Sequence, residues 1–105
     1  ETSEQINKRI MTARTIQLER FKTLKYISSN AHMQNKQLDK YCKIENNAKK
    51  IIQMAIDELS FSARSYAKLL KISRTIADLD SSDIIKEEHL LEAIQYRTLD
   101  RKYFD

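Results

Sequence analysis

Apolar residues recur at intervals of three and four positions along most of the chain, which is the spacing of one face of an α-helix. The long segments with this pattern are 3–22, 46–59, 63–79 and 86–97. A weaker segment, NKQLDKYC at 35–42, predicts a short helix with Asn35 as its cap. The stretches between them contain Ser and Asn and predict loops. The pattern therefore indicates a bundle of four to five helices.

The apolar side of each predicted helix is expected to face a shared core. In the first helix, with Ser3 as a candidate cap, this side consists of Ile6, Ile10, Met11, Ala13, Leu18 and Phe21. The helix at 63–79 follows Ser62, whose hydroxyl can cap a helix start. Its apolar side consists of Tyr66, Leu69, Leu70, Ser73, Ile76 and Ala77. In the last helix, Leu90, Leu91, Ala93 and Ile94 are expected to point inward.

The composition agrees with an all-α fold. The chain of 105 residues contains no glycine and no proline, which argues against tight β-hairpins. We expect one helical domain over 1–105, with a flexible tail at 98–105. There is no long apolar run and no signal-peptide pattern, and the single Cys42 cannot form an internal disulfide. These features predict a cytoplasmic location and no membrane contact.

The helix at 63–79 has charges of unusual polarity. Arg64 lies in its first turn, whereas Asp78 and Asp80 lie at its far end, and helix dipoles favour the reverse arrangement. Arg64, Lys68 and Lys71 share a sector opposite the apolar side. The basic sector is either a site for an anion such as phosphate or an ordinary solvated face.

Three further arginines accompany the apolar side of the first helix. Arg9, Arg14 and Arg20 lie within or beside this band rather than opposite it. Arginines in such positions can extend their guanidinium groups to solvent. The alternative is that they contact a neighbouring domain or subunit.

The sequence offers no convincing catalytic constellation. A zinc site needs three or four ligands, and Cys42, His32 and His89 are scattered, so we expect no metal site. Cys42 is expected to pack in the core, and Ser62 is better explained as a cap than as a nucleophile. Without glycine the chain cannot contain a GxxxxGK[ST] phosphate-binding loop. Nucleotide binding through that loop is therefore excluded for this chain.

Two blocks resemble a known family. LSFSARSYAKLLKISRTIADL, followed by IIKEEHLLEAIQYRTLDR, is similar to the C-terminal domain of magnesium-chelatase-like AAA+ ATPases, including the bacterial ComM-type competence proteins. RIMTARTIQLERF resembles the first helix of that domain, and NAHM and YCKIE match in order and approximate spacing. The differences lie in turns, where the family often has glycine before SAR and after IADL.

The resemblance implies that the chain is a helical lid that follows a nucleotide-binding core. The family's ATP-binding and Mg²⁺-binding motifs would lie upstream, so the isolated chain is expected to bind no cofactor. Arg64 in SAR matches the position of the sensor-2 arginine, which contacts the γ-phosphate of ATP. Lys68 and Lys71 are weaker candidates for the same contact, and Arg9, Arg14 and Arg20 would meet the core or an adjacent subunit of a ring.

The family also suggests what a parent protein would do. Its competence-type members resemble DNA branch-migration helicases, so DNA is an expected partner of the parent, and no residue of this chain points to porphyrin or metal insertion. The sequence leaves two alternatives open. The chain could be a small basic helical module that binds DNA directly, or a protein-interaction bundle without a phosphate contact.

Overall fold

The computed structural model describes residues 2–99, which form five α-helices. Their bounds are α1 Ser3–Arg20, α2 Asn35–Tyr41, α3 Lys49–Glu58, α4 Ala63–Leu79 and α5 Glu87–Leu99. Single 3-10 turns precede α2 and α3, at Asn30–His32 and Asn46–Ala48. Within residues 2–99 the only β-type pairing is an isolated bridge between Ile44 and Ile85. The all-α prediction is confirmed.

The starts of α1, α2 and α4 have side-chain caps, although two of the expected caps are displaced. Ser62 caps α4 as predicted, because its hydroxyl accepts the N–H of Ser65 at 3.1 Å. Thr2 rather than Ser3 caps α1, in a reciprocal pair with Gln5. Gln34 rather than Asn35 caps α2. Of the predicted tail at 98–105, residues 98 and 99 end α5, and the rest lies outside the described residues.

Helix α4 lies at the centre of the fold and packs against α1, α2 and α5, while α5 also packs against α3. The side of α4 that was expected to be apolar buries Leu69, Leu70, Ser73 and Ala77. Phe21, Met33 and most of the other buried apolar residues complete one continuous core. Burial of this apolar surface is the main stabilising contribution to such a fold.

Helix α1 departs from the expectation. Ile6, Ile10, Met11 and Leu18 are between 42% and 63% exposed. The only buried residue within α1 is Ala13, and Phe21 is buried just after its end. The expectation that the whole apolar side of α1 faces the core is therefore wrong. The same holds on a smaller scale for Leu91 of α5, which is exposed.

Two serines occupy turns in which the family that the sequence resembles is expected to have glycine. Ser60, two residues before the α4 cap, has φ of 53°, and Ser81, just after α4, has φ of 52°. At Ser81 the chain reverses with Ser82 N–H bonded to Ala77 O at 2.8 Å and Ser81 N–H bonded to Asp78 O at 3.0 Å. This Schellman pairing usually has glycine at the left-handed position. Ser81 thus adopts the left-handed conformation that this turn requires, although it has a Cβ.

None of the helices within residues 2–99 combines the length and the apolar character that a bilayer crossing requires.

Candidate functional site

The start of α4 exposes one arginine at a capped helix end. Arg64 is the second residue of α4 and is exposed. Because Ser62 satisfies the N–H of Ser65, the N–H groups of Ala63 and Arg64 remain as the donors without an intrahelical acceptor. Among residues 2–99, the side chain of Arg64 has no hydrogen-bond or ion-pair partner. Its guanidinium and the helix start together form a donor-rich surface suited to an anion.

The two lysines of the predicted site are positioned differently. Lys68 and Lys71 are half-buried rather than fully exposed. Burial raises the pKa of the Cys42 thiol, and the charge of Lys71 is one of those that oppose this shift. The sector predicted from the sequence is therefore exposed at Arg64 and partly covered further along the helix.

The polarity of the first turn does not by itself single out α4. The first turns of α2 and α3 also lack an acidic residue, and they contain Lys36 and Lys49 with Lys50. The argument from the helix dipole therefore applies to three helices. What separates Arg64 from the lysines is its planar set of donors, which suits bidentate contact with phosphate.

The acidic residues at the far end of α4 have internal partners. Asp78 is 1% exposed and accepts four hydrogen bonds. Arg20 supplies two of them, at 2.7 and 2.8 Å, and Arg74 and Asn30 supply one each, at 3.2 and 2.8 Å. The apparent charge reversal at this end is thus an ion-pair network inside the fold.

Arg74 is the centre of this network and was missed in the sequence. It is 1% exposed, and its guanidinium also donates to the backbone carbonyls of Tyr41, Ser82 and Asp83. Burial lowers the pKa of Arg74, and the neighbouring Asp78 opposes that shift. The i, i+4 spacing of Arg74 and Asp78 beside the apolar side of α4 was the available signal. Arg74 joins the end of α2 to the turn after α4.

The three arginines of α1 have three different environments. Arg20 binds Asp78 and Asn30 inside the domain, with 11% of its side chain exposed, so its position does not support the interpretation of Arg20 as an interface residue. The Nε of Arg9 donates to the carbonyl of Leu79 at 3.4 Å, at the end of α4. Arg14 is exposed and has no hydrogen-bond or ion-pair partner among residues 2–99. Arg14 thus remains the most available of the three for another protein surface.

Asp80, Glu88 and His89 form a cluster whose ligand atoms lie within 4.8 Å of one another. The Nδ1 of His89 accepts the N–H of Lys86 at 2.9 Å, which places the proton of a neutral imidazole on Nε2. Nε2 lies 3.0 Å from Asp80 Oδ2, and this hydrogen bond lowers the pKa of Asp80. A metal ion would need the lone pair at Nε2. The hydrogen bond between His89 and Asp80 therefore connects the start of α5 to the end of α4. The two hydrogen bonds of His89 leave no lone pair on Nε2 for a metal ion.

Cys42 is buried, as expected from the sequence, and its Sγ lies 3.8 Å from the carbonyl oxygen of Leu70. Burial raises the pKa of the thiol to about 11. A thiol that remains protonated is a poor nucleophile. Cys42 therefore packs in the core and takes no part in the candidate site.

The similarity to known proteins extends over nearly the same residues as the helical fold. The family model described as "Magnesium chelatase, subunit ChlI C-terminal" matches residues 1–97. The YifB protein of Escherichia coli K12 is 38% identical over 101 residues, which are 96% of this chain. The competence protein ComM of Haemophilus influenzae is 36% identical over 101 residues and 96% of the chain. The YifB protein of Salmonella typhimurium is 35% identical over the same share.

The matched part is a small portion of each relative. The chain spans about 19% of the length of these relatives. The similarity is therefore that of one domain, and the family description gives its place as C-terminal. The all-helical fold and the matched residues agree, and the chain belongs to the magnesium chelatase ChlI C-terminal domain family.

Proposed function

We propose that this domain is the helical lid of a magnesium-chelatase-type AAA+ ATPase, and that Arg64 contacts the γ-phosphate of ATP held by another domain. The observation that carries the proposal is membership of the C-terminal domain family over residues 1–97. The position of Arg64 supports it, since the side chain is exposed at the capped start of the central helix. The chain has no phosphate-binding loop of its own, so ATP and Mg²⁺ belong to the core.

The chemistry of Arg64 suits this role. ATP supplies a γ-phosphate that gains negative charge on its outer oxygens as the phosphoryl group is transferred. The guanidinium of Arg64 donates two parallel hydrogen bonds to such oxygens, and the free N–H groups at the helix start add a favourable dipole. Lys68 and Lys71 are half-buried, so their contribution is a positive potential along α4 and not a direct contact.

Lid movement would couple ATP hydrolysis to the positions of neighbouring subunits. Closure brings Arg64 to the phosphate, and release of phosphate removes the charge that holds the lid closed. Because one relative is named a competence protein, we further propose a cytoplasmic ring-forming motor that acts on DNA, of the branch-migration type.

The test is ATP turnover by the longer polypeptide that contains this domain. Arg64→Ala is expected to lower kcat by about 100-fold, the usual cost of removing one preorganised donor to a developing anion. Arg64→Lys is expected to recover only part of the rate, because lysine does not make the bidentate contact. Lys50→Ala is the matched control, since Lys50 is an exposed cation at the second position of α3. Normal turnover in Arg64→Ala would contradict the proposal.

The second candidate function is direct DNA binding by this domain. The observation in its favour is the net charge of +4 with a pI near 9.2, together with exposed cations on several helices. Fluorescence anisotropy with duplex and branched DNA would distinguish the two functions. Micromolar or tighter binding that weakens steeply with salt would favour the DNA module, whereas no binding by the domain would leave the lid as the better explanation.

A further inference from the structure

The surface between α1 and α5 is a groove whose floor is the C-terminal half of α4. Two depressions of about 650 and 520 Å³ adjoin there and share Thr75 as a lining residue. We call this surface the α4 groove and define it by its floor residues, Ile72, Thr75, Ile76 and Leu79. Helix α1 forms one wall and α5 forms the other.

The floor of the α4 groove is mainly apolar, whereas the α1 side is also lined by the polar residues Gln17, Ser28 and Ser29. Ile72, Ile76 and Leu79 recur at i, i+4 and i+7, so they form one ridge of α4. On the walls, Ile10 and Leu18 of α1 are 47% and 57% exposed, and Tyr96 of α5 is 43% exposed. Helix α1 thus directs apolar side chains to a groove that no part of residues 2–99 fills. Contiguous apolar surface of this kind marks an interaction site on soluble proteins.

The two walls have opposite charge. Arg14 lines the α1 side and Glu92 lines the α5 side. Neither side chain has an ion-pair partner within the described part of the chain. A helix lying in the groove would therefore be favoured if it had acidic residues toward α1 and basic residues toward α5.

We propose that the α4 groove is the docking site for an amphipathic helix from the same polypeptide, outside residues 1–105. The relatives support this choice of occupant, because the matched part is 19% of each and about four-fifths of their length lies elsewhere. A segment tethered to the domain has a high effective concentration at its surface. The apolar ridge selects apolar residues at i, i+3 or i+4, and i+7 in the docked helix. The proposal shares one premise with the proposed function, namely that the domain is part of a longer polypeptide.

Site-specific photo-cross-linking in the longer polypeptide tests the occupant. A benzophenone amino acid replaces Tyr96 in the groove, and in a control protein it replaces Tyr26, which is 90% exposed and does not line the groove. Mixing ¹⁴N-labelled and ¹⁵N-labelled protein before irradiation separates links within one chain from links between chains. The expected result is a same-isotope link from position 96 to an amphipathic helix outside residues 1–105, with a yield at least several-fold above that from position 26.

Each other result overturns the proposal. Mixed-isotope links would mean that a second copy fills the groove, and links confined to residues 1–105 would mean that the domain covers itself. Equal yields from positions 96 and 26 would mean that nothing specific docks there.

A charge reversal tests the complementarity. Glu92→Lys is expected to lower the yield of the position-96 link several-fold, with a smaller effect at high salt because exposed charges are screened. Glu58→Lys, on α3, is the control and is expected to leave the yield unchanged. An unchanged yield in Glu92→Lys contradicts the charge argument. Arg64→Ala separates the groove proposal from the ATP-contact proposal, since it should abolish most ATP turnover and leave the position-96 cross-link intact. Loss of this cross-link in Arg64→Ala would overturn the assignment of the groove as an independent docking site.

Discussion

Replacing Asp78 by asparagine should remove the charge that holds the interior network together. Asp78 accepts two hydrogen bonds from Arg20, one from Arg74 and one from Asn30. The Asp78→Asn side chain has nearly the same shape, so the packing volume is preserved. Its amide, however, presents N–H donors where those residues also present donors, and it leaves two arginines without a counter-ion.

The magnitude follows from the burial of the three charged groups. The side chains of Asp78, Arg74 and Arg20 are 1%, 2% and 11% exposed. Removing one partner of such a buried pair costs about 3–5 kcal/mol, because the remaining charge stays desolvated. A domain of this length has a free energy of unfolding of about 5–15 kcal/mol in total. The variant is therefore expected to lose a large fraction of its stability.

Urea and thermal unfolding followed by circular dichroism would measure the loss. The melting temperature is expected to fall by at least roughly 12 °C, since each kcal/mol corresponds to about 4–8 °C in a small domain. Asp39→Asn is the control, because Asp39 is an exposed acid on α2, and its effect should stay within about 0.5 kcal/mol. A loss below about 1 kcal/mol in Asp78→Asn would refute the assignment of a buried, desolvated network.

Two further predictions concern the turn after α4 and the buried thiol. Ser81→Gly should stabilise the domain by about 0.5–1 kcal/mol, since φ of 52° strains a residue with a Cβ. Ser81→Ala keeps the Cβ and should not stabilise the domain. Equal melting temperatures for Ser81→Gly and the unsubstituted domain would contradict this reasoning. The thiol of Cys42, whose pKa burial raises from 9.0 to about 11, should react with a thiol reagent at pH 8 about 100-fold more slowly in the folded than in the unfolded protein. Because the folded-state pKa is the higher one, this thiol's contribution to stability is complete below pH 9 and is lost as the pH rises from 9 to 11; unfolding curves at these pH values, compared with Cys42→Ala, would measure the decline.

The local elements were readable from the sequence because they depend on local rules. The helical period, the lack of glycine and proline and the Ser62 cap predicted α4 with its correct bounds, 63–79. The same rules misplaced the start of α3, since residues 46–48 form a 3-10 turn whose pattern continues into the helix. The family resemblance likewise depends on short motifs of the sequence and requires no knowledge of the fold.

Tertiary structure decided which charges and which apolar faces are inside. Arg20 resembles Arg9 and Arg14 along the sequence, yet of these three only Arg20 binds the interior carboxylate of Asp78. Asp78 lies 58 positions further along the chain, so the two residues meet only because α1 crosses α4. Helix α1 has an apolar side that periodicity alone assigns to the core, but the core is filled by residues of α2, α3, α4, α5 and the connections between helices. The sequence determined the helices and the family of this protein. Only the packing of distant segments determined that Asp78 pairs with Arg20 and Arg74 inside the fold and that α1 faces an open groove. Burial and ion pairing depend on residues that are far apart in the sequence and meet only in the folded protein.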